Sequence, residues 1–165
     1  MKQKLKIGCY VVKTMDKVCR VENIVKMDKS EKEYYLLIPI NEKSAKVFVP
    51  VERAESSMRE VMSREAVMRL IKKIPQIEET YVDNEKLREQ KYKEVIKSYD
   101  PELLVGIIKM IFLRNKKRME NGKKSTATDQ KYFKLAEDFL YSEMAFVLQI
   151  ERSEIQQMIR TTCEQ

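Results

Sequence analysis

The run "LRNKKRMENGKK" (113–124) holds Arg114, Lys116, Lys117, Arg118, Lys123 and Lys124 against a single acid, Glu120. Cations at this density suit the neutralisation of phosphate, where each contact releases a counterion and steepens the salt dependence of binding. The plainer reading is a solvated helix end whose lysines complement the backbone dipole. A second group lies in "ETYVDNEKLREQKYK" (79–93), where Arg88, Lys91 and Lys93 follow Tyr81. An aromatic at the edge of a basic surface can stack on a base or wedge into a duplex step. Its plainer role is to cover a joint between two parts of the chain. The third group is Tyr34, Tyr35 and Phe48 in strand-like segments. Neighbours on a strand point to opposite faces, so one of Tyr34 and Tyr35 faces outward and offers a protein-binding surface. Half-buried packing explains such rings equally well.

Other chemistries lack their residues. The chain has 165 residues and no histidine, which removes an imidazole base, a histidine metal ligand and a Ser-His-Asp triad. Cys9, Cys19 and Cys163 are odd in number, show no C-x-x-C spacing and make a poor zinc site. No glycine-rich phosphate loop occurs. The expectation is therefore a protein without catalytic residues, metal or cofactor, and not an enzyme. A net charge of +7 favours a polyanionic partner. The unpaired thiols suit a reducing compartment. The start "MKQKLKIGCYVVKTMDK" has no sustained apolar stretch, and nothing approaches the roughly 20 apolar residues that cross a bilayer. A soluble, cytoplasmic monomer is expected, with no membrane partner.

Two kinds of element must position these groups. "IGCYVV" (7–12), "KVCRVENIVKM" (17–27), "EYYLLIPI" (33–40) and "AKVFVPV" (45–51) are rich in β-branched and aromatic residues. The polar connectors "KTMDK", "DKSEK" and "NEKS" between them have hairpin length. Four or five such strands can close into a small SH3-like or Tudor-like barrel with at least one open edge, a docking site for another protein's strand. In "VFVPVERAESSMRE" (47–60) the period of two ends at Pro50 and helical periodicity takes over for the rest of the chain. Helices are predicted over 63–74, 84–99, 100–122, 125–150 and 153–162. Asp100 caps the third, Gly122 ends it, and Thr126 with Asp129 forms a capping box for the fourth. The fold class is α+β, a small N-terminal antiparallel barrel over 1–56 followed by an all-α bundle over 57–165.

"LKIG" with "YVV" (5–12), "EYYLLIPI" before "VFVPV" (33–51), "MREVMSREAV" (58–67), "IKSYDPELL" (96–104) and "TATDQKYFKLAEDFLYSEMAFVL" (126–148) follow one another in a fairly specific order. In this order the chain resembles the CarD/CdnL family of bacterial RNA polymerase-binding transcription regulators, whose N-terminal module is shared with transcription-repair coupling factor. The resemblance implies a Tudor-like module docking on the polymerase β subunit, at Lys26, Tyr35, Lys46 and Phe48. It implies a helical domain meeting promoter DNA beside the melted bubble through Tyr81, Arg88, Lys91, Arg114, Lys116, Lys117, Arg118, Lys123 and Lys124, altering open-complex stability. Three departures stand out. "GCYVVKTMDKVCRV" (8–21) has Cys9 in place of the family's aspartate and lacks its later glycines, Phe48 replaces a basic residue before "VP", and the family's DNA-wedging tryptophan is absent, with Tyr81 at its best-matching position. Lys46 lies two residues before Phe48 on the same strand face. The alternative is an interaction module of the same fold that has lost DNA contact.

Overall fold

Alternate burial along "EYYLLIP" organises the first part of the chain. In the computed structural model, which describes residues 4–13, 17–27, 29, 31–82 and 84–164 (the side chains of Lys17 and Glu164 excepted), the chain divides into two units, Met1–Val61 and Met62–Gln165. The expected connectors at 13–17 and 28–32 lie partly outside the described residues.

The first unit is an antiparallel sheet of β1 (Tyr10–Lys13), β2 (Lys17–Lys26), β3 (Glu33–Pro39), β4 (Val47–Pro50) and β5 (Arg59–Glu60), in the order β4-β3-β2-β1-β5. In β3, Tyr35, Leu37 and Pro39 are buried and Tyr34, Leu36 and Ile38 are half-buried, the two faces of a pleated strand. Tyr35 lies opposite Val49, so their side chains share the inner face. Val11, Cys19, Val21, Tyr35, Leu37 and Val49 form a core that Ala54 and Met58 join. The β2–β3 register shifts between Val21 and Asn23, an extra residue that bends the long strand.

Strand pairing does not end at Pro50. A 3-10 turn, Val51–Arg53, and a one-turn helix α1, Ala54–Ser57, return the chain to β1, where β5 pairs Glu60 with Val11 and Arg59 with Val12. Two residues are too few to carry a period-two pattern, so this strand left no mark in the sequence. The Val61 N–H then donates to Tyr10 O at 3.2 Å, and the first unit runs five residues past the expected boundary at 56/57.

The second unit contains α2 (Arg64–Lys73), α3 (Glu85–Ser98), α4 (Pro101–Glu120), α5 (Ala127–Leu148) and α6 (Arg152–Glu164). Their starts follow capping chemistry: Ser63 Oγ accepts from Ala66 N, Asn84 Oδ1 from Lys86 N, and Asp100 Oδ1 from Glu102 N and Leu103 N. α3 stops at Tyr99, whose φ of 59° costs about 1–2 kcal/mol in a non-glycine residue. The Tyr99 ring packs edge-on to Phe139, 6.0 Å between centroids, which helps to hold that geometry. The core joins Leu70 and Ile71 of α2, Tyr92 and Val95 of α3, Leu104, Ile107 and Ile111 of α4, Phe139, Leu140 and Met144 of α5, and Ile155 of α6. Each such aliphatic or phenyl side chain contributes about 1.5–3 kcal/mol on full burial.

Candidate functional site

Three helices of the second unit bring opposite charges together out of solvent. Asp129, in the first turn of α5, is 0 % exposed. Its Oδ1 accepts from Tyr92 Oη at 2.8 Å, and its Oδ2 accepts from Arg114 Nε at 3.0 Å. Arg88 Nε lies 3.2 Å from Oδ1 as an ion pair without a well-directed hydrogen bond. Burial pushes the Asp129 carboxyl up, but the hydrogen bonds from Tyr92 and Arg114 and the two guanidinium charges outweigh it and hold the carboxyl below its ordinary range. The Tyr92 phenol is raised well above its ordinary value by burial and then by its bond to Asp129.

This arrangement corrects part of the sequence reading. Arg88, expected at a phosphate, is 8 % exposed and ion-paired to Asp129. Its spacing from Tyr92 and Val95, i to i+4 and i+7, puts it on the buried stripe of α3. Arg114 is drawn inward by the same carboxylate. Thr126 Oγ1 accepts from Asp129 N, as a cap should, while the Asp129 carboxylate turns to Tyr92 and the arginines instead of completing a capping box.

The rest of the basic run builds an exposed loop. Gly122 adopts φ 72°, its N–H donates to Met119 O at 3.0 Å, and the Lys123 N–H donates to Arg118 O at 2.8 Å. This is a Schellman closure. Arg118 Nε donates to Lys124 O at 2.8 Å, so Arg118 holds the loop in shape. Lys116, Lys117, Lys123 and Lys124 are exposed around this turn. Lys91 is half-exposed on α3, its Nζ 4.0 Å from Glu94 Oε2.

Tyr81 is 81 % exposed. It sits on the segment 77–82, which crosses α4 at Gly106. The Thr80 N–H donates to Gly106 O at 3.2 Å. A Cβ on Gly106 would stand 2.8 Å from Thr80 Oγ1 and 3.3 Å from Glu78 O, so a larger residue would force the Thr80 side chain to turn and the chain at Glu78 to give way. One turn along α4, Lys109 Nζ donates to Ile74 O and, at 2.7 Å, to Ile77 O. Sequence reading passed over both residues. The signal was there in "VGIIKMIF" (105–112), a glycine and a lysine three apart inside an apolar helix.

On the first unit, Phe48 is 41 % exposed and lies opposite Leu36, on the face that also carries Tyr34 and Ile38. A shallow groove of about 670 Å³ on this unit is lined by Tyr10, Arg20, Leu36, Ile38, Lys43 and Lys46. Lys46 is exposed, and Lys26 extends at the end of β2 with its Nζ 3.8 Å from Glu31 Oε2. Tyr35 does not reach this surface. It is 2 % exposed, and its hydroxyl accepts from Leu5 N at 2.9 Å, so Tyr34 is the tyrosine of the pair on the outer face. Among the described residues, no three His, Cys, Asp or Glu side chains come together to hold a metal, and no helix is long and apolar enough to cross a membrane.

Comparison with known families agrees with both units. Residues 5–62 match the CarD-like/TRCF RID domain, and residues 66–160 match the CarD C-terminal domain. No curated protein matches the chain. The first unit is the Tudor-like RID domain and the second is the helical domain that follows it in this family. The chain belongs to the CarD-like family of non-enzymatic transcription regulators associated with RNA polymerase.

Proposed function

We propose that the sheet unit docks on the β subunit of RNA polymerase and that the helical unit meets promoter DNA at the upstream edge of the melted bubble, altering the lifetime of the open complex. Tyr81 carries the DNA half of this reading: a large aromatic ring, 81 % exposed, on a segment tied to a long helix. The exposed lysines at the end of the same helix suit phosphate. At 1.5 Å per residue, Gly106 and Lys116–Lys117 lie about 15 Å apart along α4. That is on the order of four to five base-pair rises, so one duplex can meet both. Phe48 in the edge strand β4 and Lys46 just before it suit the polymerase half, where a partner strand can add to an open edge. Tethering to polymerase raises the local concentration of DNA, so the DNA contacts can be individually weak.

The test has two arms. Purified protein should capture the β subunit, and Phe48→Asp should abolish capture; undiminished capture would overturn the docking surface. Tyr81→Ala should shift the open-complex lifetime toward that of polymerase alone, and an unchanged lifetime would overturn the DNA contact. The missing tryptophan favours one second reading, an interaction module without DNA contact. Charge reversal at Lys116 and Lys117 separates the two, because the second reading predicts no effect on promoter complexes.

A further inference from the structure

Connectors between helices are ordinarily among the more mobile parts of a domain. The one that carries Tyr81 is instead fastened at successive points. Lys109 Nζ holds the carbonyls of Ile74 and Ile77 at its start. Thr80 N reaches Gly106 O, and the Gly106 notch admits Thr80 Oγ1 and Glu78 O. Tyr81 follows directly after the Thr80 amide.

We infer that Gly106 and Lys109 of α4 are positioning residues for Tyr81: together they lock the segment 77–82 onto the helix and hold the aromatic ring outward in a fixed attitude. This rests on the reading of Tyr81 as the DNA-contacting ring. Both residues sit where helix chemistry alone disfavours them. Glycine in a helix interior weakens it relative to alanine, and a lysine within an apolar stretch must satisfy its ammonium protons locally. The contacts of each account for its place. Lys109 caps the Ile74 carbonyl at the end of α2, where a cation is also favoured by the backbone dipole, and the Ile77 carbonyl just beyond the turn that follows. Gly106 gives the room that Thr80 needs. A ring that is already ordered does not have to be ordered when it enters a base step. If the segment were released so that only about a tenth of molecules held the ring correctly, apparent affinity would fall about tenfold.

The chain contains no tryptophan, so Tyr81→Trp places a single tryptophan at the site, excited at wavelengths where the remaining tyrosines do not absorb. In that background the full chain is compared with Gly106→Ala, Lys109→Met and Lys109→Arg. Gly106→Ala and Lys109→Met should lower the fluorescence anisotropy of residue 81 while far-UV circular dichroism is retained. Lys109→Arg, which can still donate to two carbonyls, should restore it. Unchanged anisotropy in both Gly106→Ala and Lys109→Met would overturn the inference. Gly106→Ala serves if Lys109→Met fails to fold, since alanine favours the helix. In the native Tyr81 background, Gly106→Ala and Lys109→Met should reduce the apparent affinity for polymerase–promoter complexes about tenfold, with Lys109→Arg close to the parent. If Tyr81→Ala leaves open complexes unaffected, the DNA reading of Tyr81 fails. If Tyr81→Ala acts strongly and the α4 variants do not, the reading stands and the positioning role is wrong.

Discussion

Asp129→Asn keeps the shape of the side chain and an oxygen that can accept from Tyr92, while removing the carboxylate between Arg88 and Arg114. Taking one partner from a buried ion pair costs about 3–5 kcal/mol, because the remaining charge is left without compensation. Arg88 cannot escape: its side chain is 10 % exposed, and its other acid among the described residues, Glu85, lies 3.6 Å away and is 80 % exposed. An ion pair as open as that contributes under about 1 kcal/mol. Arg114, at 28 %, can turn partly toward water, which places the loss near the lower limit, about 3 kcal/mol. For a helical unit of this size the midpoint should fall by roughly 12–24 °C. Urea titration at neutral pH, followed by the far-UV helical signal, reads the loss directly, with an unchanged slope if only stability has moved. The pH dependence gives a second check. A carboxyl held below its unfolded value contributes stability that is fully present above about pH 4 and is lost as pH falls through the folded value. The gap between parent and variant should therefore narrow on acidification below about pH 4. A loss under about 1 kcal/mol, or a gap that stays constant in acid, would mean that water already solvates the guanidinium groups and that the carboxylate does not hold the three helices together.

The other expectations are simpler. Tyr92→Phe should cost about 1.5–3 kcal/mol, the usual size for a hydrogen bond to a charged group, in the same titration. Because the Tyr92 phenol is raised, its contribution is complete below about pH 10 and is lost at higher pH, so the variant should show a flatter alkaline limb. Replacing Lys116, Lys117, Lys123 and Lys124 together by glutamine should make the salt dependence of duplex binding shallower by as much as about 3 to 4 in log–log slope, without lowering the melting midpoint. Phe48→Asp should abolish β-subunit capture while shifting stability by less than about 2 kcal/mol, since the ring is 41 % exposed on an edge strand.

Much of the fold was legible because its signals are local. The alternation in "EYYLLIP", the Asp100 cap before Pro101 and the Gly122 stop all act within a few residues, and each appears in the structure. What was not legible depends on partners distant in sequence. β5 exists because β1 lies beside it, and nothing within Arg59–Glu60 announces a strand. Tyr35 and Tyr34 are equivalent by composition; the register with Val49 decides which faces the core. Arg88 offers the sharper lesson, since its position was readable. It lies four residues before Tyr92 and seven before Val95, in phase with the apolar stripe, and Asp129 precedes Tyr132 and Ala136 in the same phase on α5. Charged residues in phase with a buried face belong to the interior, and two of opposite sign on different helices are candidates for one another.

That sorting changes what the basic run can do. Of its two arginines, Arg114 binds the buried Asp129 and Arg118 fixes the loop through Lys124 O. The cations left exposed around the turn are all lysines, Lys116, Lys117, Lys123 and Lys124. The difference is chemical: the planar guanidinium carries a fixed fork of donors that reads a guanine edge at two points, whereas an ammonium is a hydrated point charge on a flexible stem. Arginine has thus gone where fixed geometry is needed inside the unit, and lysine faces outward, where an unoriented charge is enough for phosphate. A surface of this kind orients a duplex without identifying its sequence. If Tyr81 enters the duplex as proposed, any preference for one promoter position must come from how readily a base step opens to it, and flexible pyrimidine–purine steps should be favoured there over stiff A-tracts.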